Sequence, residues 1–186
     1  MIRIAVIAAL TVCPAPLLAC ACCADPGHRS EITMAVDNLD ELAASIGRAR
    51  IANLYTSACG FDCVQGVTNP EDSYVVTHSA DGNTISLTLT GEESSGALTL
   101  TLPAVVTLTK ADLLPEPGPT TVLYTEYFMD VSIAGSGAFA TPHIIPGQLI
   151  LSGRGNHCTD PSMISHWSLL VATGPANYTL FGALSE

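Results

Sequence analysis

"NTISLTLTG", residues Asn83–Gly91, sets apolar Ile85, Leu87 and Leu89 at every second position, with Thr84, Ser86, Thr88 and Thr90 between them. A period of two sends alternate side chains to opposite faces of an extended chain, so the stretch predicts a strand with one buried and one solvated face. "ALTLTLP", residues Ala97–Pro103, repeats the pattern with Leu98, Leu100 and Leu102, and "GEESSG" between the two runs supplies two glycines and polar residues. Together they predict a β-hairpin.

The alternation recurs on both sides of this hairpin. "ANLYTS", "SYVVTHS", "VVTLT", "TVLYTEYFMDVSI", "GQLILSG", "SHWSLLVA" and "NYTLFGAL" are further strand candidates, punctuated by "LLPEPGPTT" and "GSGAFATPHIIPG". About seven to eight short strands separated by turn signals predict a mainly β fold, an antiparallel β-barrel or sandwich. Threonine on the off-beat positions suits a sheet with one face in water and not a parallel sheet buried on both faces. Closure into a barrel would also leave no edge strand for other chains to pair with. Ahead of the strands, Ile32, Val36, Leu39, Leu42, Ala43 and Ile46 recur near the 3.6 period. They predict one N-terminal amphipathic helix that ends soon after Ile46 at Gly47; Asn38 and Glu41 fit a capping box, which offers a second, later start for the regular helix.

The first residues read as an export signal. Arg3 precedes the apolar run Ile4–Val12, and Pro14 and Pro16 end it before the small-residue segment "LLACACCADPGH". A membrane-spanning helix needs about 20 apolar residues, more than this run holds, and later apolar runs are broken by polar residues. Two processing routes fit. Cleavage after Ala21 makes residues 1–21 a signal peptide, leaving a flexible segment 22–30 and a single β-rich domain 31–186. Alternatively, "LLAC" resembles the lipobox of bacterial lipoproteins, which implies lipidation of Cys20 and an outer-membrane anchor. The expectation is an exported protein, periplasmic or secreted, or else a membrane-anchored lipoprotein.

Six Lys and Arg against seventeen Asp and Glu give a net charge of −11. An acidic surface repels phosphate backbones, which argues against nucleic acid as a partner. The sequence names no other partner.

Candidate chemistry concentrates in two stretches. "SACGFDCVQG" carries Cys59 and Cys63 as C-x-x-x-C, and "RGNHCTDPSMISHW" carries His157, Cys158 and His166. Export favours oxidation, so one reading is a disulfide from Cys158 to Cys59 or Cys63. Closing a loop of about 100 residues in this way would stabilise the fold by about 4–5 kcal/mol in the chain-entropy picture. The other reading is a soft-metal site in which Cys59, Cys63 and His157 hold copper or zinc. The spacing resembles the ligand pattern of the copper-delivery proteins of cytochrome oxidase assembly. Those proteins are thioredoxin-like, whereas this chain has Val64 in place of the proline after the second cysteine and shows no βαβ alternation.

The remaining candidates have simpler explanations. His78 shares a strand face with Tyr74 and Val76 and is expected to pack, while His143 falls in a loop and His28 lies beside the leader. No G-x-S-x-G, H-E-x-x-H, G-x-x-x-x-G-K or G-x-G-x-x-G occurs. Glu126 and Asp130 share a strand face about 13 Å apart, beyond the roughly 5–9.5 Å of a glycosidase pair. Trp167 and Tyr178 are expected in the core or at its rim. The functional expectation is an exported, non-enzymatic binding or structural module stapled by a disulfide, with no cofactor. The alternative is a periplasmic copper- or zinc-binding protein.

Overall fold

The computed structural model describes residues 29–35, 39–55, 64–112, 123–154, 164–172 and 176–185. Along the chain run β1 (Arg29–Ala35), α1 (Leu39–Ile46), β2 (Ile51–Tyr55), β3 (Ser73–Asp81), β4 (Thr84–Thr90) and β5 (Ser95–Thr101). They are followed by β6 (Val105–Asp112), β7 (Leu123–Gly137), β8 (Ile145–Arg154), β9 (Ile164–Val171) and β10 (Tyr178–Ala183). The hairpin expected from Asn83–Pro103 forms as β4 and β5, with Thr90 opposite Ser95 and Thr84 opposite Thr101.

All pairings are antiparallel, in the order β7-β5-β4-β3-β2-β10-β9-β8, and β8 pairs back onto β7. Eight strands therefore close a barrel, which settles the choice between barrel and sandwich. Leaving β2 from Asn53 through Phe181, Ser168 and Ile150 leads to Phe128 on β7. Leaving it the other way, from Asn53 to Ser73 and on along the registers of β3 with β4, β4 with β5 and β5 with β7, arrives near Ala140. The two arrivals differ by about twelve residues, the stagger that tilts strands in a closed barrel.

That stagger accounts for the length of β7 and for the strands outside the ring. The C-terminal half of β7 pairs with β5, and its N-terminal half pairs along the same edge with β6. Pro103, which has no N–H to give a ladder, falls in the break between β5 and β6. The far edge of β6 takes β1, from Arg29 opposite Ala111 to Ala35 opposite Val105.

The helix takes the later of its two expected starts, and strand β1 replaces the earlier one from Ile32. The helix spans only Leu39–Ile46, while residues 29–35 extend. Ile32, Val36 and Leu39 fit a helical period, but Ile32 and Met34 fit a period of two equally well. The open edge of β6 decides between them, because it offers seven registered partners and pairing context outweighs local preference.

Inside the ring the side chains are aliphatic and aromatic. Ile85, Leu87, Leu89, Leu98, Leu100, Ile133, Leu169, Val171 and Leu180 have no exposed surface. Trp167 and Tyr178 join them in the core. The barrel is filled by its own side chains, as an eight-stranded ring permits. Gly182 makes room for this packing: it pairs with Trp167, and a Cβ there would collide with the Ile51 carbonyl and lie 3.1 Å from the indole Nε1. In β4 and β5 the leucines and Ile85 point in while Thr and Ser point out. Among the described residues no helix is long and apolar enough to cross a membrane.

The two ends are closed differently. At the upper end, where β2 finishes and β3 begins, Phe139 packs edge-on against Tyr74 at 5.1 Å and tilted against Tyr178 at 5.8 Å. The segment from Val64 to Asp72 lies over this cluster, held by the Gln65–Asn177 bridge and by Thr68 N–H donating to Ala138 O at 2.8 Å. At the lower end α1 runs into β2, and its last residue, Ile46, is fully buried in the core. The corner after α1 is clamped by Arg48 donating to Ile164 O at 2.6 Å, by Ser185 N–H donating to Arg48 O, and by the Ala49–Leu184 bridge.

Candidate functional site

Cys59, Cys63, His157, Cys158 and Cys20 all lie outside the described residues, as does His28. Their flanking residues are placed. Tyr55 and Val64, on either side of the first cysteine pair, stand at the upper end beside Thr179 and Asn177. Arg154 and Ile164, on either side of His157 and Cys158, stand at the lower end. The two sets of flanks are separated along β9 by about 20 Å, from six residues at roughly 3.3 Å each.

The other histidines are scattered. His78 shares the inward row of Tyr74 and Val76, yet it is exposed at the lower end, where a Cβ on Gly47 would lie against its ring. The expectation that His78 packs therefore fails, because β3 outruns β2 and its last residues leave the core. His143 is exposed in the bend before β8, and His166 is exposed on β9 with Nδ1 2.9 Å from Ser165 Oγ. Asp130 faces outward and accepts a hydrogen bond from Gln148 at 3.1 Å. Among the described residues no group of three or more His, Cys, Asp and Glu is placed to hold a metal ion.

One arrangement has the form of an anion cradle. In the turn between β4 and β5 the N–H groups of Glu92, Glu93 and Ser94, with the Ser94 hydroxyl, converge on a carboxylate at 2.6–3.2 Å. The carboxylate belongs to Glu71 of this same chain, so the cradle is already filled. The Ser94 hydroxyl, backed by the three N–H groups, outweighs partial desolvation and holds Glu71 below its ordinary value of 4.5. A Cβ on Gly91 would collide with this carboxylate. Nearby, Tyr74 Oη accepts from Glu71 N–H at 3.0 Å and lies 3.2 Å from Ser94 Oγ. The unit is a clasp joining β3 to the hairpin turn.

Inside the barrel two polar atoms, Trp167 Nε1 and the Tyr178 hydroxyl, have no hydrogen-bond partner among the described residues. Burial pushes the Tyr178 phenol pKa up. Trp167 lies four positions along β9 from Val171, the partner of Tyr178, a separation of about 13 Å between their backbones, so they do not converge on one ligand.

The outer wall is where an unusual pattern accumulates. Tyr55, Val75, Ile51 and Phe181 are 56%, 55%, 44% and 40% exposed, well above what core residues show. The register gathers them: Ile51 pairs with Val75, while Asn53 pairs with both Ser73 and Phe181, and Thr179 stands opposite Tyr55. Half-buried Ile150 and Leu170 continue the outward row across β8 and β9. The same wall lacks charge. The seven adjoining strands from β8 through β10, β2 and β3 to β5 contain only two charged residues, Arg154 and Asp81, each at a strand end.

The sequence carries a signal for this surface that the strand reading passes over. In "IANLY" both phases of the alternation are apolar, with Ala52 and Leu54 inward and Ile51 and Tyr55 outward. "YVV" in β3 and "LFGA" in β10 do the same, whereas β4 reserves its outward phase for Thr and Ser. Against this fold and this surface, no protein family, curated protein or solved structure matches the chain.

Proposed function

We propose that this chain is an exported, non-enzymatic binding module that acts through the outer wall of its barrel at β10, β2 and β3. The supporting observation is the contrast between the two faces of these strands. The inner face is filled by side chains and leaves the interior to the fold itself. The outer face gathers Ile51, Tyr55, Val75 and Phe181 in one uncharged field. Clustered exposed apolar residues mark interaction sites more often than scattered ones do. Aromatic side chains at such a site supply contact area at low entropic cost.

Export, through cleavage after Ala21 or lipidation of Cys20, belongs to the same proposal, as does a disulfide within the set Cys59, Cys63 and Cys158. The intact mass of the protein recovered from the cell envelope, before and after thiol alkylation, reads the cut, any lipid and the number of free thiols together.

Photocross-linking in producing cells tests the wall. A photoreactive side chain at Tyr55 is expected to give discrete adducts, and the same probe at Ser132, exposed on β7 across the ring, is expected to give none. Equal yields at both positions, or no adduct at Tyr55, would overturn the assignment.

A further inference from the structure

The charge distribution narrows the partner. The chain carries a net charge of −11, so two copies repel wherever their charged surfaces meet. Charged residues within strands concentrate outside the seven-strand wall. They are Arg29 and Glu31 in β1, Lys110 and Asp112 in β6, and Glu126 and Asp130 in β7. The wall around β2 offers the opposite: Ile51, Asn53, Tyr55, Val75, Thr179 and Phe181 carry no charge. Charge stands only at the borders of this field, where Arg50 precedes Ile51 and Asp72 precedes Ser73, so a basic partner would find no carboxylate at its centre. A second acidic chain would find the one broad face on which like charges need not be brought together.

We infer that this wall is the contact between two copies of the chain, packed face to face about a two-fold axis. The inference rests on the binding-wall reading above and specifies its partner. Two twisted sheets pack with strands about 30° apart and inner faces about 10 Å apart, a geometry that suits short outward side chains interleaved with a few large ones. A two-fold contact uses the same patch on both copies, so each apolar residue contributes twice. The apolar residues Ile51, Val75 and Phe181 surround Asn53 at the centre, and Thr77 and Thr179 supply a polar rim. Contact through an uncharged face between acidic bodies has a particular salt signature. Added salt screens the repulsion of the remaining surfaces without weakening the contact, so association tightens with ionic strength. A contact held by opposite charges would loosen.

Sedimentation velocity of the full exported chain, over nanomolar to high micromolar concentration at low and high salt, tests this. The expected result is a reversible monomer–dimer equilibrium that tightens as salt rises. Val75→Glu and Phe181→Glu each place two like charges in the contact and are expected to weaken dimerisation on the order of a hundredfold or more. Ser132→Glu, exposed on β7 across the ring from β2, is expected to leave it unchanged. Circular dichroism and the urea midpoint of each variant establish that the barrel remains folded. A chain that stays monomeric throughout overturns the inference, as does a dimer that survives both substitutions or one that loosens with salt.

The mass of the Tyr55 photoadduct separates this failure from failure of the binding-wall reading. Twice the chain mass supports the two-copy contact. An adduct of another mass overturns that contact and leaves the wall a binding surface, and no adduct removes both.

Discussion

The upper and lower ends of the barrel solve one problem with different chemistry. A closed ring of strands leaves two open mouths through which water would reach the core. The upper mouth is covered by aromatic rings, Tyr74, Phe139 and Tyr178, and fastened by the Glu71 carboxylate in its cradle of N–H groups. The lower mouth is plugged by Ile46 and fastened by Arg48, which donates to the Ile164 carbonyl and accepts from the Ser185 amide and hydroxyl. The upper fastening contains a carboxylate, Glu71, that takes up a proton only below its ordinary value of 4.5. The Arg48 guanidinium and the backbone amides it joins keep their charge state across the same range. Acid should therefore loosen one end before the other.

The largest test of this contrast lies in the aromatic cover. Phe139 is fully buried and touches both tyrosines, so Phe139→Ala is expected to cost about 3–5 kcal/mol in urea unfolding. Hydrogen exchange should then speed at Thr68 and Ala138 while the amides of Ala49 and Leu184 keep their protection. Uniform loss at both ends would show that the ends are one cooperative unit, and the contrast would fall. The counterpart is Ile46→Ala, which empties the lower plug and is expected to cost about 2–5 kcal/mol. There the pattern should invert, with Ala49 and Leu184 exchanging faster than Ala138.

These two residues also mark how far the sequence could be read. Phe139 lies in "GSGAFATPHIIPG", which reads as a connection, and its role emerges only when the stagger of the barrel brings β7, β3 and β10 together at one mouth. Ile46 is legible, because a 3.6-period pattern ending just before Gly47 places it on the buried side of a helix. The strands β3 to β5 and β8 to β10 are legible for the same reason: their inward phase is apolar throughout. Strand β1 was hidden because Ile32 belongs to two patterns at once, a helical one with Val36 and Leu39 and an alternating one with Met34, and only a distant partner, β6, chooses between them. Ring closure was legible as one of two possibilities, since alternation fixes which face is buried and not whether the last strand meets the first. The outer wall was hidden by the same habit of reading. An apolar residue in the outward phase registers as noise until its neighbours on other strands are known.

A smaller effect is expected from Gly182→Ala at the lower end. The added methyl would meet the Ile51 carbonyl and the Trp167 indole, and crowding of this kind costs about 1–3 kcal/mol. The urea midpoint should fall. Trp167 fluorescence should shift, because the ring must move, while the upper end keeps its exchange protection. An unchanged midpoint would mean that the close approach of β2 and β10 relaxes freely, so that the lower end is not the rigid plug described above.

The smallest effect at neutral pH is expected from Glu71→Gln, and it bears most directly on the contrast. The native pKa of Glu71 is lowered, so in acid the unfolded chain takes up the proton first. The stability that the clasp contributes is therefore fully present above the unfolded value near 4.5 and is lost as pH falls through the native value. Glutamine keeps one acceptor oxygen but turns an NH2 group toward N–H donors, so the variant should be the less stable protein at neutral pH. The two unfolding midpoints should converge as pH is lowered from about 7 to about 3, because protonated glutamate and glutamine then bind the cradle about equally. Exchange at the amides of Glu92, Glu93 and Ser94 should rise over the same interval, ahead of Ala49. Midpoints that run parallel with pH would place the acid sensitivity elsewhere, and the polar clasp and the apolar plug would then be equivalent ways of closing a barrel.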